Sequence, residues 1–316
     1  MPSAKTLAII EMNKTLLKLS TLLVIGILTI SNSWHKKDSS FEKETPPGTI
    51  KISENFYSDY TEITNFDWLE YMYWTQRVFG DSSKEHIASM PDKNVWINEY
   101  PCLSNYSDFY YGHPSYRSYP AVGVSQKQAI DYCKWRSDRV FEMLLIREGV
   151  LDHNPDQNTS NYFSIDNYYN GKYNNTPPDL KYNIYPHYKL PSEKEWIEVK
   201  DYFLINKGKI KKCKQKYCSL HLKTTSLPVV YNINPCLKDS LVSEPTKSVS
   251  CFKNKKIGYY LYGNVSEWLS TENQHIGGSW RDTSIINFNT PLKSKYPTDY
   301  IGFRSVFNWK KYKKNS

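Results

Sequence analysis

Apolar residues recur at three- to four-residue intervals in three stretches, and each stretch opens with a capping signal. Thr64 or Asn65 can cap NFDWLEYMYWTQRVF. The spacing of Phe66, Leu69, Met72 and Tyr73 predicts a helix that Gly80 stops. Ser125, with Gln128 three residues on, forms a capping box ahead of QKQAIDYCKWRSDRVFEMLLIR. Ala129, Ile130, Cys133, Val140, Phe141, Leu144 and Leu145 supply that helix's apolar face, and Gly149 ends it. Ser192 and Glu195 repeat the box after Pro191, with Trp196, Val199 and Phe203 as the buried stripe.

Between the second and third helices, residues 151–188 are rich in Asn, Tyr, Asp and Pro and read as an irregular excursion outside the core. A further insertion, about 205–255, carries lysines and four cysteines. The glycine-punctuated strings GNVSEW, GGSW and GFR follow it and predict tight turns between short strands.

The N-terminal pattern differs in kind. Leu19 to Ile30 (LSTLLVIGILTI) is free of charge and preceded by Lys14 and Lys18, and the chain turns polar directly afterwards. A membrane-spanning helix needs about 20 apolar residues and a signal-peptide core roughly 7–15. Residues 1–33 therefore read as an export signal, with an uncleaved anchor helix as the alternative, and 34–45 as a linker. The expected location is the periplasm or surface of a bacterium. No cysteine follows the apolar core before Cys102, which argues against a lipoprotein.

Export changes how the cysteines are read. In an oxidising compartment Cys213, Cys218, Cys236 and Cys251 are disulfide candidates before they are metal ligands. A zinc ribbon is the alternative, but only the first pair is closely spaced. Cys133 falls inside a helix and reads as a small buried side chain.

Composition adds an aromatic excess: 27 Tyr, 12 Phe and 9 Trp among 316 residues, with a mean hydropathy of −0.65. Disordered chains lack such aromatics, so the core is expected to be built from rings. The net charge of +9 is more local than it looks. Residues 1–33 hold a net +2, and ten lysines sit in two clusters, at 207–216 and 310–314. Such clusters are mostly solvated, and no nucleic-acid motif accompanies them.

Six strings occur in order: TEITNFDW (61–68), YPAVGVSQKQAIDYCKW (119–135), KLPSEKEW (189–196), GNVSEW (263–268), GGSW (277–280) and GFR (302–304). Together they resemble the formylglycine-generating enzyme, or sulfatase-modifying factor, domain family. The resemblance implies one α+β domain of the C-type-lectin-like kind over residues 46–309. It would have little regular secondary structure, a small antiparallel sheet, peripheral helices and two loop insertions, followed by a basic tail, 310–316. Glu195, Trp196, Asn264, Trp268, Gly278 and Arg304 are its expected structural residues. Trp268, Trp280 and Phe303 are expected in the core.

The family's oxidases use two copper-binding cysteines, five and ten residues after the first glycine of G-G-S. Those places hold Asp282 and Asn287, and no cysteine occurs after Cys251. A carboxylate and an amide cannot replace thiolates toward Cu(I), so copper and that oxidase activity are not expected and no catalytic residue is assigned. The family's calcium site would here draw on Glu267 and the carbonyls of Gly263 and Val265. Tyr260 stands where the family has Asn or Asp, and a hydrogen-bonded Glu267 paired with Arg304 is the competing reading. Trp280, Arg281, Asp282 and Asn287 begin the segment that forms the family's substrate groove and are its candidate binding residues. The expected function is a non-catalytic scaffold of the cell envelope, holding a peptide, glycan or protein in the manner of gliding-motility and secretion lipoproteins. An enzyme of altered chemistry is the alternative. Nucleic acid is not an expected partner, and a membrane only through the N-terminal segment.

Overall fold

The computed structural model describes residues 44–98, 103–205, 246, 248–249, 263–282 and 288–313. The N-terminal apolar segment, Cys102, the four insertion cysteines, Tyr260 and Asn287 lie outside the described residues.

The chain enters through a hairpin, β1 (Thr49–Ser53) and β2 (Phe56–Asp59), then runs into α1 (Asn65–Phe79) and α2 (Lys84–Ser89). Next come α3 (Ser104–Gly112) and the long α4 (Gln126–Arg147), then a short α5 (Ile165–Tyr169), β3 (Ile184–Lys189) and α6 (Glu193–Ile205). After the insertion follow β4 (Ser266–Trp268), β5 (Gln274–Ile276), β6 (Leu292–Lys293), β7 (Ile301–Gly302) and β8 (Val306–Lys311). The architecture is α+β, with two four-stranded sheets where the sequence predicts one. The first runs β1-β2-β8-β3 and is antiparallel; the second runs β6-β5-β4-β7, with β4 and β7 parallel.

The predicted caps form. Thr64 and Asp67 make a reciprocal box at α1, and Ser125 and Gln128 another at α4. At α6 the Ser192 amide donates to Glu195 Oε2 at 2.9 Å, and the Glu195 amide donates back to Ser192 Oγ at 3.3 Å. Trp196, Val199 and Phe203 are buried as the spacing predicts.

The face of α1 is corrected. Its buried stripe is Asn65, Trp68, Tyr71, Thr75 and Val78, whereas Phe66 and Tyr73 are exposed. This helix is aromatic all round, and tertiary fit chooses the side: Trp68 stacks on Tyr132 of α4 at 5.5 Å and meets Phe303 edge-on. Ile130 of α4, assigned to the apolar face, is likewise exposed.

The reading of 151–188 as a non-core excursion is also corrected. Phe163, Ile165, Tyr168, Tyr169, Tyr173 and Tyr182 are buried in the largest core cluster, against Phe141, Leu144 and Leu145 of α4. A polar chain anchors these rings. Arg139 Nη1 donates to Glu142 at 2.7 Å, Gln157 Nε2 donates to Glu142 at 2.6 Å, and the Phe163 amide donates to Gln157 at 2.8 Å. The segment then supplies β3, an edge strand of the first sheet.

The basic tail begins later than its charge suggests. Lys310 and Lys311 belong to β8, opposite Tyr185 and Ile184, and Tyr312 stacks on Tyr169 at 3.8 Å. The described remnant of the second insertion rejoins the body: Thr246 meets the Tyr110 hydroxyl at 3.0 Å, and the Val249 amide donates to the Ser118 carbonyl at 2.8 Å. Cys133 is a buried free thiol, and burial pushes its pKa up, away from thiolate formation.

Candidate functional site

Five separated strings of the sequence converge on one buried polar network. Glu62 of EITN is fully buried and accepts a hydrogen bond from Asn264 of GNVSEW at 3.1 Å. Glu267 of the same string accepts from Trp196 Nε1 at 2.8 Å through one oxygen. Its other oxygen accepts from Arg304 of GFR, with Nε at 3.1 Å and Nη2 at 3.0 Å. Arg304 Nη1 also donates to the Asp59 carbonyl at 3.0 Å. The Trp280 amide of GGSW donates to the Asn264 carbonyl at 2.9 Å. Asn264 holds the left-handed backbone that this geometry needs, at φ 60°.

These contacts decide how Glu267 is used. Calcium takes six to eight oxygens at about 2.3–2.6 Å. Both oxygens of Glu267 already face hydrogen-bond donors, and one of those donors belongs to a buried guanidinium. The carboxylate therefore does not fit a calcium ion, and Gly263 and Val265 are left as two backbone carbonyls. Burial raises the Glu267 pKa, with Arg304 opposing the rise. Among the described residues, no cluster of three or more His, Cys, Asp or Glu could hold a metal.

The described part of the predicted groove segment, Trp280 to Asp282, is tied down by side-chain contacts. Arg281 reaches Asp299, not Asp282, with Nη2 at 2.7 Å from Oδ2, and its guanidinium lies over the rings of Trp280 and Tyr300 at 5.2 and 4.8 Å. Asp299 is buried, and burial raises its pKa against the pull of Arg281. Asp282 instead closes a local turn, accepting from the Ser279 amide at 2.7 Å and the Ser279 hydroxyl at 2.9 Å. Trp280 is buried and donates its indole N–H to the Asp299 carbonyl at 3.0 Å, so it forms a floor beneath Arg281, not an open face.

Two glycines show why this turn has its sequence. At Gly278 (φ +72°) a Cβ would lie 2.3 Å from the Phe288 ring. Gly302 has no positive φ, contrary to the turn assigned to it; a Cβ there would sit 2.8 Å from the Ala121 carbonyl, so close approach is the reason.

Three residues of this region escape sequence reasoning. Glu62 lies in a quoted string but looks like an ordinary helix-flanking acid. Asp299 lies in no string. His275 is buried in β5 between Trp268 and Tyr300, and burial lowers its pKa to about 4 against a counter-pull from Asp282.

A model of the sulfatase-modifying factor enzyme 1-like domain matches residues 20–309. The chain belongs to that family. Solved structures with a similar arrangement include "Treponema denticola variable protein 1", 16% identical, with a TM-score of 0.35 over 80% of this chain and 84% of that one. Another is CarF, 17% identical, with a TM-score of 0.40 over 80% of this chain and 86% of that one. No curated protein matches the chain by sequence. In this sulfatase-modifying-factor domain, one buried polar network joins five of the sequence strings.

Proposed function

We propose that this sulfatase-modifying-factor domain is a non-catalytic binding module of the bacterial cell envelope, delivered by its N-terminal apolar segment. It would hold a peptide, glycan or protein partner along the surface that Arg281 and Asp282 begin. One observation carries this reading: Asp282, at the first oxidase cysteine position, spends its carboxylate on the Ser279 amide and hydroxyl. A residue used as a turn closure offers neither a soft metal ligand nor a thiol for exchange with a substrate cysteine. The second position, Asn287, and the absence of any cysteine after Cys251 point the same way.

Two measurements on the mature protein test the proposal. Incubated with Cu(I), oxygen and a cysteine-bearing sulfatase-type peptide, it should leave the peptide mass unchanged; conversion of the cysteine to an aldehyde would establish the oxidase. Capture from an envelope extract should lose its partner on Arg281→Ala, since that change strips the guanidinium from Trp280, Tyr300 and Asp299. Undiminished capture by Arg281→Ala and Asp282→Ala together would remove this segment as the contact site.

A further inference from the structure

A cavity of about 410 Å³ lies between α4 and β3, away from the GGSW turn. Helix α4 lines it with Ile130, Cys133, Lys134, Ser137 and Asp138, spaced i, i+3, i+4, i+7 and i+8 along one face. Ile165, Tyr185, Tyr188 and Leu190 complete largely apolar walls. The volume falls within the roughly 300–1,000 Å³ of small-molecule sites, which pair apolar walls with a few placed polar groups.

The charges around it are unevenly matched. Lys134 faces Asp166 at 3.5 Å, and Lys189 faces Glu195 at 2.6 Å. Asp138 is 9% exposed and, among the described residues, forms no ion pair; Arg139 and Lys134 act on its carboxylate only from a greater distance. Among the described residues its hydrogen bond comes from the Ile165 amide at 2.8 Å. A buried carboxylate whose cations stay beyond contact is costly. If capping the Ile165 amide were its whole task, a neutral Asn or Ser would do it without that cost.

We propose that this cavity binds a primary ammonium on an apolar body, with Asp138 as the counter-ion and Tyr185, Tyr188, Ile130 and Leu190 around the body. The remaining charged neighbours fit that ligand better than an anion. Lys134 and Lys189 are already matched by Asp166 and Glu195, and His187 is kept neutral by burial and by Lys310 and Lys189. Burial brings Asp138 to about 6, so an incoming ammonium meets a carboxylate already largely ionised at neutral pH and holds it so. Free amines and lysine side chains of a peptide share this chemistry.

The test is calorimetric titration of the full chain with n-hexylamine, n-hexanol and hexanoate, with the Ile165 amide signal as a local reporter. The amine should bind at least about tenfold more tightly than either counterpart and shift that signal. Asp138→Asn keeps the acceptor for Ile165 and should weaken amine binding at least about tenfold while leaving hexanol unchanged. Ile130→Trp, at an exposed position on the cavity wall, should block entry without disturbing the core. Equal binding of hexylamine and hexanol, preference for hexanoate, indifference to Asp138→Asn in the folded variant, or no binding by any probe would each overturn the assignment. A peptide bearing one lysine between leucines, compared with hexylamine, separates the sources: whichever binds tighter names the source, and both support the ammonium site. Failure here would leave the reading of the cysteine-less turn untouched, because the two sites share no residue.

Discussion

Glu62 is a costly residue for this fold. It is fully buried, one of its oxygens has no hydrogen-bond partner among the described residues, and a second carboxylate, Glu267, lies in the same network. Burial raises Glu62 to about 8, with Arg304 opposing and Glu267 adding to the rise. An unfolded glutamate titrates near 4.3. Between those values the folded chain keeps a proton that the unfolded chain has released, so stability falls as pH rises through that window and levels off above it. Glu62→Gln is neutral at every pH and keeps an acceptor for Asn264. Thermal melting at about pH 5 and about pH 8.5 should show a clear drop for the native chain and a smaller one for the variant. Equal drops would mean that Glu62 is not the titrating group. Arg304 sits on the other side of this balance, since its loss would leave Glu267 buried without its cation, at roughly 3–5 kcal/mol.

At the scale of elements, the segment 151–188 separates what composition says from what packing does. Its Asn, Asp and Pro read as a surface loop, yet Phe163 is fully buried, 6.1 Å from Phe141 and 5.3 Å from Tyr173. Phe163→Ala should therefore cost roughly 3–5 kcal/mol, as a core truncation does, while Leu180→Ala, at a largely exposed site, should stay within about 0.5 kcal/mol. Chemical denaturation of both variants distinguishes a core element from a loop, because a loop would make both changes silent. The helices were legible because capping boxes and stops are local: Thr64, Ser125, Ser192 and Gly80 act where the sequence places them. The face of α1 was not legible, since aromatic residues surround the helix and partners distant in sequence, Ser89, Tyr132 and Phe303, select Trp68. The candidate site divides the same way. Its strings stood in plain view, but the pairing of Arg281 with Asp299 spans 18 residues and follows no local rule.

At the scale of the whole molecule, β8 is what makes the first sheet one sheet. The hairpin β1–β2 and the edge strand β3 do not pair with each other; each pairs with β8 from opposite sides. Just before it, Ser305 donates its hydroxyl to Asp59 at 2.5 Å, and Asp59 also receives Arg136 at 2.7 Å. Phe307 is fully buried and stacks on Tyr57 at 4.5 Å, while the Trp309 amide donates to Asn55 at 2.7 Å. Residues nearly the full length of the domain apart must therefore meet before the sheet exists, and long-range pairing of this kind is slow and cooperative. Deleting everything after Arg304 should abolish cooperative thermal unfolding and expose the rings of the main core, seen as loss of the near-ultraviolet circular dichroism. Deleting only residues 314–316 should leave both signals intact, since the last described contacts, Tyr312 on Tyr169 and the Tyr312 amide to the Asn183 carbonyl, remain. If the chain stopped at Arg304 kept a sharp melting transition, β8 would be an ornament on a sheet that closes without it. The convergence of Glu62, Glu267 and Arg304 would then have to be the true centre of the fold.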